Sequence, residues 1–233
     1  MFRETDLTPP RAGPDETEIV DRIYTAVMEQ RLPAGTKLGE IQLCEAFGAS
    51  RARVRRSLLV LAGREIVELE ANRGAFVARP TAEQARDIFQ ARRAVEPTVA
   101  RLAIARMTPD DVRALRAHLD AEAEAHGARD RRRAIRLSGE FHVTLAEISR
   151  NHVFERVMKE LVARTSLIIG LYGAHVTDSC RFEEHGRLCG AILDGDAPKA
   201  EALMLEHLTN IEAGLEVSSP KSGDIDLIRL FSS

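Results

Sequence analysis

Apolar residues recur at helical spacing along most of this chain, with two short β-branched or aromatic runs near residues 66–78. From Glu16, the positions Ile19, Ile23, Ala26 and Val27 share one face, which predicts a first helix to about Gln30. Leu32-Pro-Ala-Gly35 is a turn. A second short helix over 40–47 has Ile41, Leu43 and Cys44 as its apolar side, and Gly48 suits its C-terminal end. Ser50 can cap a third helix, Arg51 to about Gly63, by accepting an orphan backbone N–H. Two short helices about a glycine turn, the second capped by serine, make a helix-turn-helix pattern. The runs 66–70 and 75–78 then read as strands, and the Asn72/Gly74 tip between them is good hairpin chemistry.

From Thr81 onward the pattern is helical throughout, with helices expected near 82–107, 109–126, 130–149, 151–174, 179–194 and 196–217. Pro97 is expected to kink or split the first of these, because proline removes a helical hydrogen bond. Thr108-Pro-Asp-Asp111 marks a start, with a cap, a proline and acids in the first turn. The expected fold is therefore mostly α: a winged helix-turn-helix over 15–80, then an all-α antiparallel helical bundle over 81–217. Residues 1–14 read as a flexible arm. Residues 218–233 form a tail whose Ile225, Leu227, Ile228, Leu230 and Phe231 could dock somewhere.

Composition narrows the function classes. No apolar run approaches the roughly 18 residues of a membrane span, and the N-terminus has no apolar signal core, so a cytoplasmic protein is expected. Cys44, Cys180 and Cys189 show no CxxC spacing and read as buried or incidental thiols. The formal net charge is -3, and residues 1–80 hold 12 basic against 12 acidic side chains. Nucleic-acid binding, if present, must come from local arrangement rather than from a basic domain.

Such an arrangement exists on the third helix, where Arg51, Arg53, Arg55 and Arg56 crowd into six residues without an acid. Val54, Leu58 and Leu61 share the face that packs inward, leaving arginines on the outer stripes. The N-terminal turn of such a helix is the part that enters a major groove. Arginine forks onto guanine O6 and N7 and also pairs with phosphate. Arg73 at the wing tip can reach a flanking groove, with Gly74 permitting close backbone approach. A solvated charged helix is the commoner fate of a charge run, but the cap, the glycine turn and the hairpin favour DNA.

The segments Leu38-Gly-Glu, Phe47-Gly-Ala-Ser-Arg-Ala-Arg-Val-Arg-Arg-Ser-Leu58 and Asn72-Arg-Gly-Ala-Phe-Val77 resemble the winged-helix signature of GntR-type bacterial transcription regulators. That resemblance implies operator contacts by Ser50, Arg51, Arg55, Arg73 and Gly74, with Arg53 added from its place on the helix. The sequence departs from the family pattern at Ala52, Arg53 and Arg56, where Thr, Pro and Glu are usual. The helical half resembles the FCD effector domain of the FadR-type subgroup. Three segments carry this likeness: Phe89 to Pro97, Glu140 to Glu147 with Asn151, and Glu184 to Asp196 running on to His207-Leu.

His142, His185 and His207 lie on three different predicted helices, each near an apolar stripe, so they could converge inside the bundle. Imidazole nitrogen suits zinc, nickel or copper. Any single histidine is more often a hydrogen-bonded core or surface residue. The FCD resemblance implies a divalent metal held by one Asp and these three His, the Asp four residues before the first. Here that position is Ser138. A three-His site, a site completed by water or ligand, and no metal all remain open; the first is expected, with zinc or nickel. Arg92 shares a stripe with Ile88, Val95 and Val99, so its charge needs a partner, and Glu96 on the next turn is one candidate. The family places an arginine here that helps hold acidic effectors, which makes Arg92 and Ser138 the expected effector contacts. The arginine run 129–136 reads as a solvated face.

The resulting expectation is a homodimeric regulator that binds palindromic operator DNA, is not an enzyme, and is released by a small carboxylic acid. A metal-dependent enzyme using the three histidines is the alternative, and a protein-binding winged helix is a third.

Overall fold

A computed structural model describes residues 13–173, 178–215 and 225–231, with the side chains of 178–182 left aside. Most of the expected flexible arm, the side chain of Cys180 and the tail segment 216–224 lie outside the described residues.

The chain opens with α1 (Glu16–Met28), a two-residue strand β1 (Lys37–Leu38), α2 (Glu40–Phe47) and α3 (Arg51–Gly63). The hairpin β2 (Val67–Glu70) and β3 (Gly74–Val77) follows. Asp15 caps α1 by accepting from Glu18 N–H at 2.8 Å. Gly48 ends α2 in the left-handed region at φ 58°, where a side chain would be strained. Ser50 caps α3, its hydroxyl accepting from the Arg53 N–H. The three strands pair antiparallel in the order β1-β3-β2, with Leu38 opposite Ala75 and Val67 opposite Val77. β1 was not expected, because two residues are too short to show alternation.

The second half is helical: α4 (Ala82–Arg106), α5 (Pro109–Gly127), α6 (Arg131–Ile148), α7 (His152–Tyr172), α8 (Asp178–Leu193) and α9 (Ala197–Ala213). Thr81 with Gln84 and Thr108 with Asp111 form capping boxes at the starts of α4 and α5. Pro97 does not split the first of these: α4 is one helix of 25 residues through it. Buried residues on both sides, Phe89 and Ile88 before it and Val99, Ala100 and Ala103 after it, keep one continuous face packed. That face lies chiefly against α9, with α6 and α7 beside it. Each fully buried Phe, Ile or Val here contributes about 1.5–3 kcal/mol, comparable to the cost of one helical break. No helix of the described residues is long and apolar enough to cross a membrane.

The tail does dock. A short α10 (Leu227–Phe231) packs on α2, with Leu227 and Phe231 buried and the Phe231 ring 4.8 Å from that of Phe47. Arg22 of α1 lies against both rings and donates to the Phe231 carbonyl. The arginine run on α6 lies at the surface, where Arg133 ion-pairs with Glu124 at 2.8 Å; Arg136, more covered, pairs with Glu140 at 2.8 Å and with Glu29, just beyond α1, at 3.2 Å.

Candidate metal centre and nucleic-acid interface

On α3 the inward stripe is Val54, Ser57, Leu58 and Leu61, all buried. Arg51, Arg55 and Arg56 are exposed on the opposite side. Arg55 Nε donates to both oxygens of Glu40 at 2.8 and 2.9 Å, and Arg56 Nε donates to Glu16 at 2.7 Å. Arg53 is turned away from this group. Its Nη1 donates to the carbonyls of Gly13 and Pro14 at 3.1 and 2.9 Å, holding the chain that leads into α1. At the wing tip Asn72 and Gly74 both have positive φ, 62° and 102°, and Arg73 pairs with Glu70 and covers Phe76. The hydroxyl of Ser50 is engaged by its own helix cap.

In the helical half the structure brings His142 of α6, His185 of α8 and His207 of α9 together, with exposures of 3%, 0% and 1%. The Nε2 atoms of His185 and His207 are 3.2 Å apart, and those of His207 and His142 are 3.3 Å apart. Behind each ring stands a carboxylate. His142 Nδ1 is 2.6 Å from Glu96, His185 Nδ1 is 3.0 Å from Glu122, and His207 Nδ1 is 2.6 Å from Glu184. Glu122 places both oxygens within reach of its ring, and Asn210 donates to the second oxygen of Glu184 at 2.6 Å. The Phe141 ring stacks on His185 with centroids 4.4 Å apart and meets His142 edge-on.

Each Nδ1 is the nitrogen placed against a carboxylate, and a ring that donates there keeps Nε2 as the acceptor facing inward. In that tautomer the Nε2 atoms, 3.2–3.3 Å apart, turn acceptor lone pairs toward one another, a donor set of the kind a cation takes. With metal–nitrogen bonds of about 2.0–2.1 Å, tetrahedral ligand atoms stand about 3.4 Å apart. The residues present therefore fit a zinc-like ion. Burial pushes the His142 imidazole down to about 4, although the Glu96 carboxylate pulls the other way. It is neutral near pH 7, as a metal ligand must be. Burial also pushes the Glu96 carboxyl up, but Arg92 and His142 outweigh it and hold the group down to about 2.

Arg92 and Glu96 pair within the buried side of α4, at 2% and 1% exposure, as the one-turn spacing suggested. The pairing is incomplete. Among the described residues Arg92 Nη2 has no hydrogen-bond partner, and His142 Nδ1 and Glu96 Oε2, though close, are poorly aligned. Arg92, Ser138 and His142 line a small cavity of about 30 Å³ together with Met28, Thr165 and Ser166. Met28 belongs to α1, and Ser166 Oγ donates to its carbonyl at 3.0 Å. The structure thus gathers all five residues named from the sequence in this half into one region. Glu122 was missed. It sits between alanines on a helix of many acids, and only its i+7 spacing from the buried Leu115 hinted that it points inward.

Comparison with known proteins agrees with this organisation. Residues 16–77 match the bacterial regulatory proteins of the gntR family, and residues 87–210 match the FCD domain. The HTH-type transcriptional regulator LutR of Bacillus subtilis is 28% identical over 205 residues, covering 78% of this chain and 92% of LutR. The HTH-type transcriptional repressor RspR of Escherichia coli K12 is 23% identical over 225 residues, covering 96% of this chain and 98% of RspR. Among solved structures, Escherichia coli McbR/YncC shares the fold with a TM-score of 0.76 at 19% identity, covering 85% of this chain and 95% of McbR. These relatives are transcription regulators, not enzymes, so the family match supports the regulator over the metal-dependent enzyme. The chain belongs to the GntR family of bacterial transcription regulators, in the FadR-type arrangement of an N-terminal winged helix-turn-helix with a C-terminal helical FCD domain.

Proposed function

We propose that this regulator represses by binding operator DNA and lets go when a small carboxylic acid enters the helical half. Residues 15–80 form the DNA-reading unit and residues 81–217 the effector-binding and dimerising unit. A homodimer presents two α3 helices to half-sites of a palindrome about one helical turn, roughly 34 Å, apart. Arg51 and Arg55 reach base edges or phosphates from the start of α3, beside Ser50. Arg53 contributes by fixing the entry to α1, and Arg73 with Gly74 enters a flanking groove. Zinc or nickel is held by His142, His185 and His207, and when bound it supplies a Lewis-acidic partner for one end of a carboxylate. Ser138, where the family has an acid, leaves a coordination position to water or effector.

The observation that carries the effector reading is Arg92. A guanidinium nitrogen without a partner among the described residues, at 2% exposure, is costly, and this one belongs to the wall of a cavity beside the three histidines. A bidentate carboxylate is the natural complement. At about 30 Å³ the cavity has room for about one water, so an acid must displace its lining on entry. One lining residue, Met28, ends the first helix of the DNA-reading unit. An effector that displaces Met28 therefore favours a different placement of α1, and its differential affinity shifts the dimer away from the DNA-competent arrangement.

Selection from random duplex DNA tests the main claim. Wild-type protein should enrich a palindrome and bind it with an affinity that falls steeply as salt rises, by counterion release. Failure to enrich any sequence, or binding indifferent to salt, would overturn it.

A further inference from the structure

We propose that Glu96, Glu122 and Glu184 act as a carboxylate shell that aims the three imidazoles at one metal and supplies the negative charge that Ser138 does not. This inference rests on the three-His metal reading above. Each carboxylate comes from a helix other than that of its histidine: α4 to α6, α5 to α8, and α8 to α9. Three independent pairs from different helix contacts thus share one pattern, carboxylate to Nδ1 and Nε2 to the common centre. Metal-bound histidines commonly have such partners, which fix the tautomer and raise ligand basicity.

Glu122 makes the strongest case. It is fully buried, and among the described residues it forms no ion pair with lysine or arginine; its partner is His185, itself fully buried. An acid so placed is expensive if all it gains is one neutral ring. The arrangement becomes favourable when the far side of that ring carries a cation. Among the described residues three carboxylates stand behind the rings and one guanidinium, that of Arg92, pairs with one of them. The shell thus holds more acids than fixed cations, a setting that suits a cation between the rings. The shell therefore does at one remove what an acidic ligand at position 138 would do by direct contact, and it leaves the ion's open face to the cavity.

The test uses the full-length protein and its Glu122→Gln variant, which keeps the shape and a hydrogen-bond acceptor but loses the charge. Zinc affinity is measured by chelator competition, the cobalt-substituted absorption spectrum is recorded, and the metal-free melting temperature is compared. The expected result is zinc binding about 10- to 100-fold weaker, an altered cobalt spectrum, and a metal-free melting temperature that is unchanged or higher. The last readout separates positioning from a merely structural role, because removing an uncompensated buried charge relieves the metal-free state. Unchanged zinc affinity, or a metal-free protein that melts lower, would overturn the shell. Glu184→Gln, nearer the surface, gives the same comparison with less risk to folding. Wild-type protein that takes up neither zinc nor cobalt would overturn the three-His reading itself, and the shell with it. Wild-type uptake with unaltered variants would overturn the shell alone.

Discussion

On α3 and the wing, arginines stand in water with acids beside them; around His142, His185 and His207, acids stand out of water with imidazoles beside them. Arg55–Glu40, Arg56–Glu16 and Arg73–Glu70 join side chains of which 34–68% remains exposed. Glu96 and Glu122 are at 1% and 0%. Exposed pairs gain little and exchange partners cheaply, since water replaces whatever leaves. Buried charges cannot exchange without leaving a neighbour unpaired. The first arrangement suits a surface whose arginines must turn to phosphate on contact. The second suits a site that must hold its geometry until an ion or ligand changes it.

The comparison breaks most visibly at Arg92. Replacing it by leucine leaves Glu96 buried without its cation, and loss of one partner of a buried pair costs about 3–5 kcal/mol. Urea unfolding of metal-free protein should show that loss. A change below about 1 kcal/mol would mean that Glu96 is held by His142 alone, and that the inner charges are as exchangeable as the outer ones.

Arg55→Ala is the matching change at the surface. It should weaken operator binding roughly 10- to 100-fold while leaving melting temperature, helical content and dimerisation as they are. Fluorescence anisotropy against the selected palindrome measures the first, and normal affinity there would remove α3 as the reading helix.

These two residues also mark how far the sequence could be read. The environment of Arg55 is local: Gly48, the Ser50 cap and the apolar stripe Val54, Leu58, Leu61 are encoded within fourteen residues, so the bounds of α2 and α3 were legible to the residue, although Ile41, expected on the apolar side of α2, is exposed. The three histidines were legible as candidates because each sits on an apolar stripe, and the family likeness placed them together. The carboxylates behind them were not read as a set. Glu122 meets His185 across 63 positions of chain, and in the run Ala-Glu-Ala-Glu-Ala it is indistinguishable from Glu124, which is solvated and pairs with Arg133. That α4 runs unsplit through Pro97 was illegible for the same reason, since what keeps it continuous is packing on helices far along the chain. Docking of the tail could be anticipated from its apolar residues, but not that its seat is Phe47 and Arg22.

Ser138→Asp sharpens the inner half of the comparison. It adds an acid one turn before His142, on the side that lines the cavity. Zinc affinity should rise about tenfold, in line with an added charged ligand. Effector response should fall, because the new ligand occupies the open position. Zinc affinity unchanged by this acid would place the ion away from the cavity face.

Glu40→Gln carries the smallest expected effect and asks the most specific question of the outer half. Glu40 sits in the first turn of α2, and its two oxygens share the hydrogen offered by Arg55 Nε. If that pair is a holding position that DNA phosphate displaces, removing the charge should strengthen operator binding by about threefold and leave the melting temperature unchanged. Specificity should relax at the same time, because an arginine no longer drawn to Glu40 meets any phosphate more readily. Weaker binding would mean the reverse: that Glu40 aims Arg55, and that this surface pair, like the carboxylates behind the histidines, is there to fix a direction.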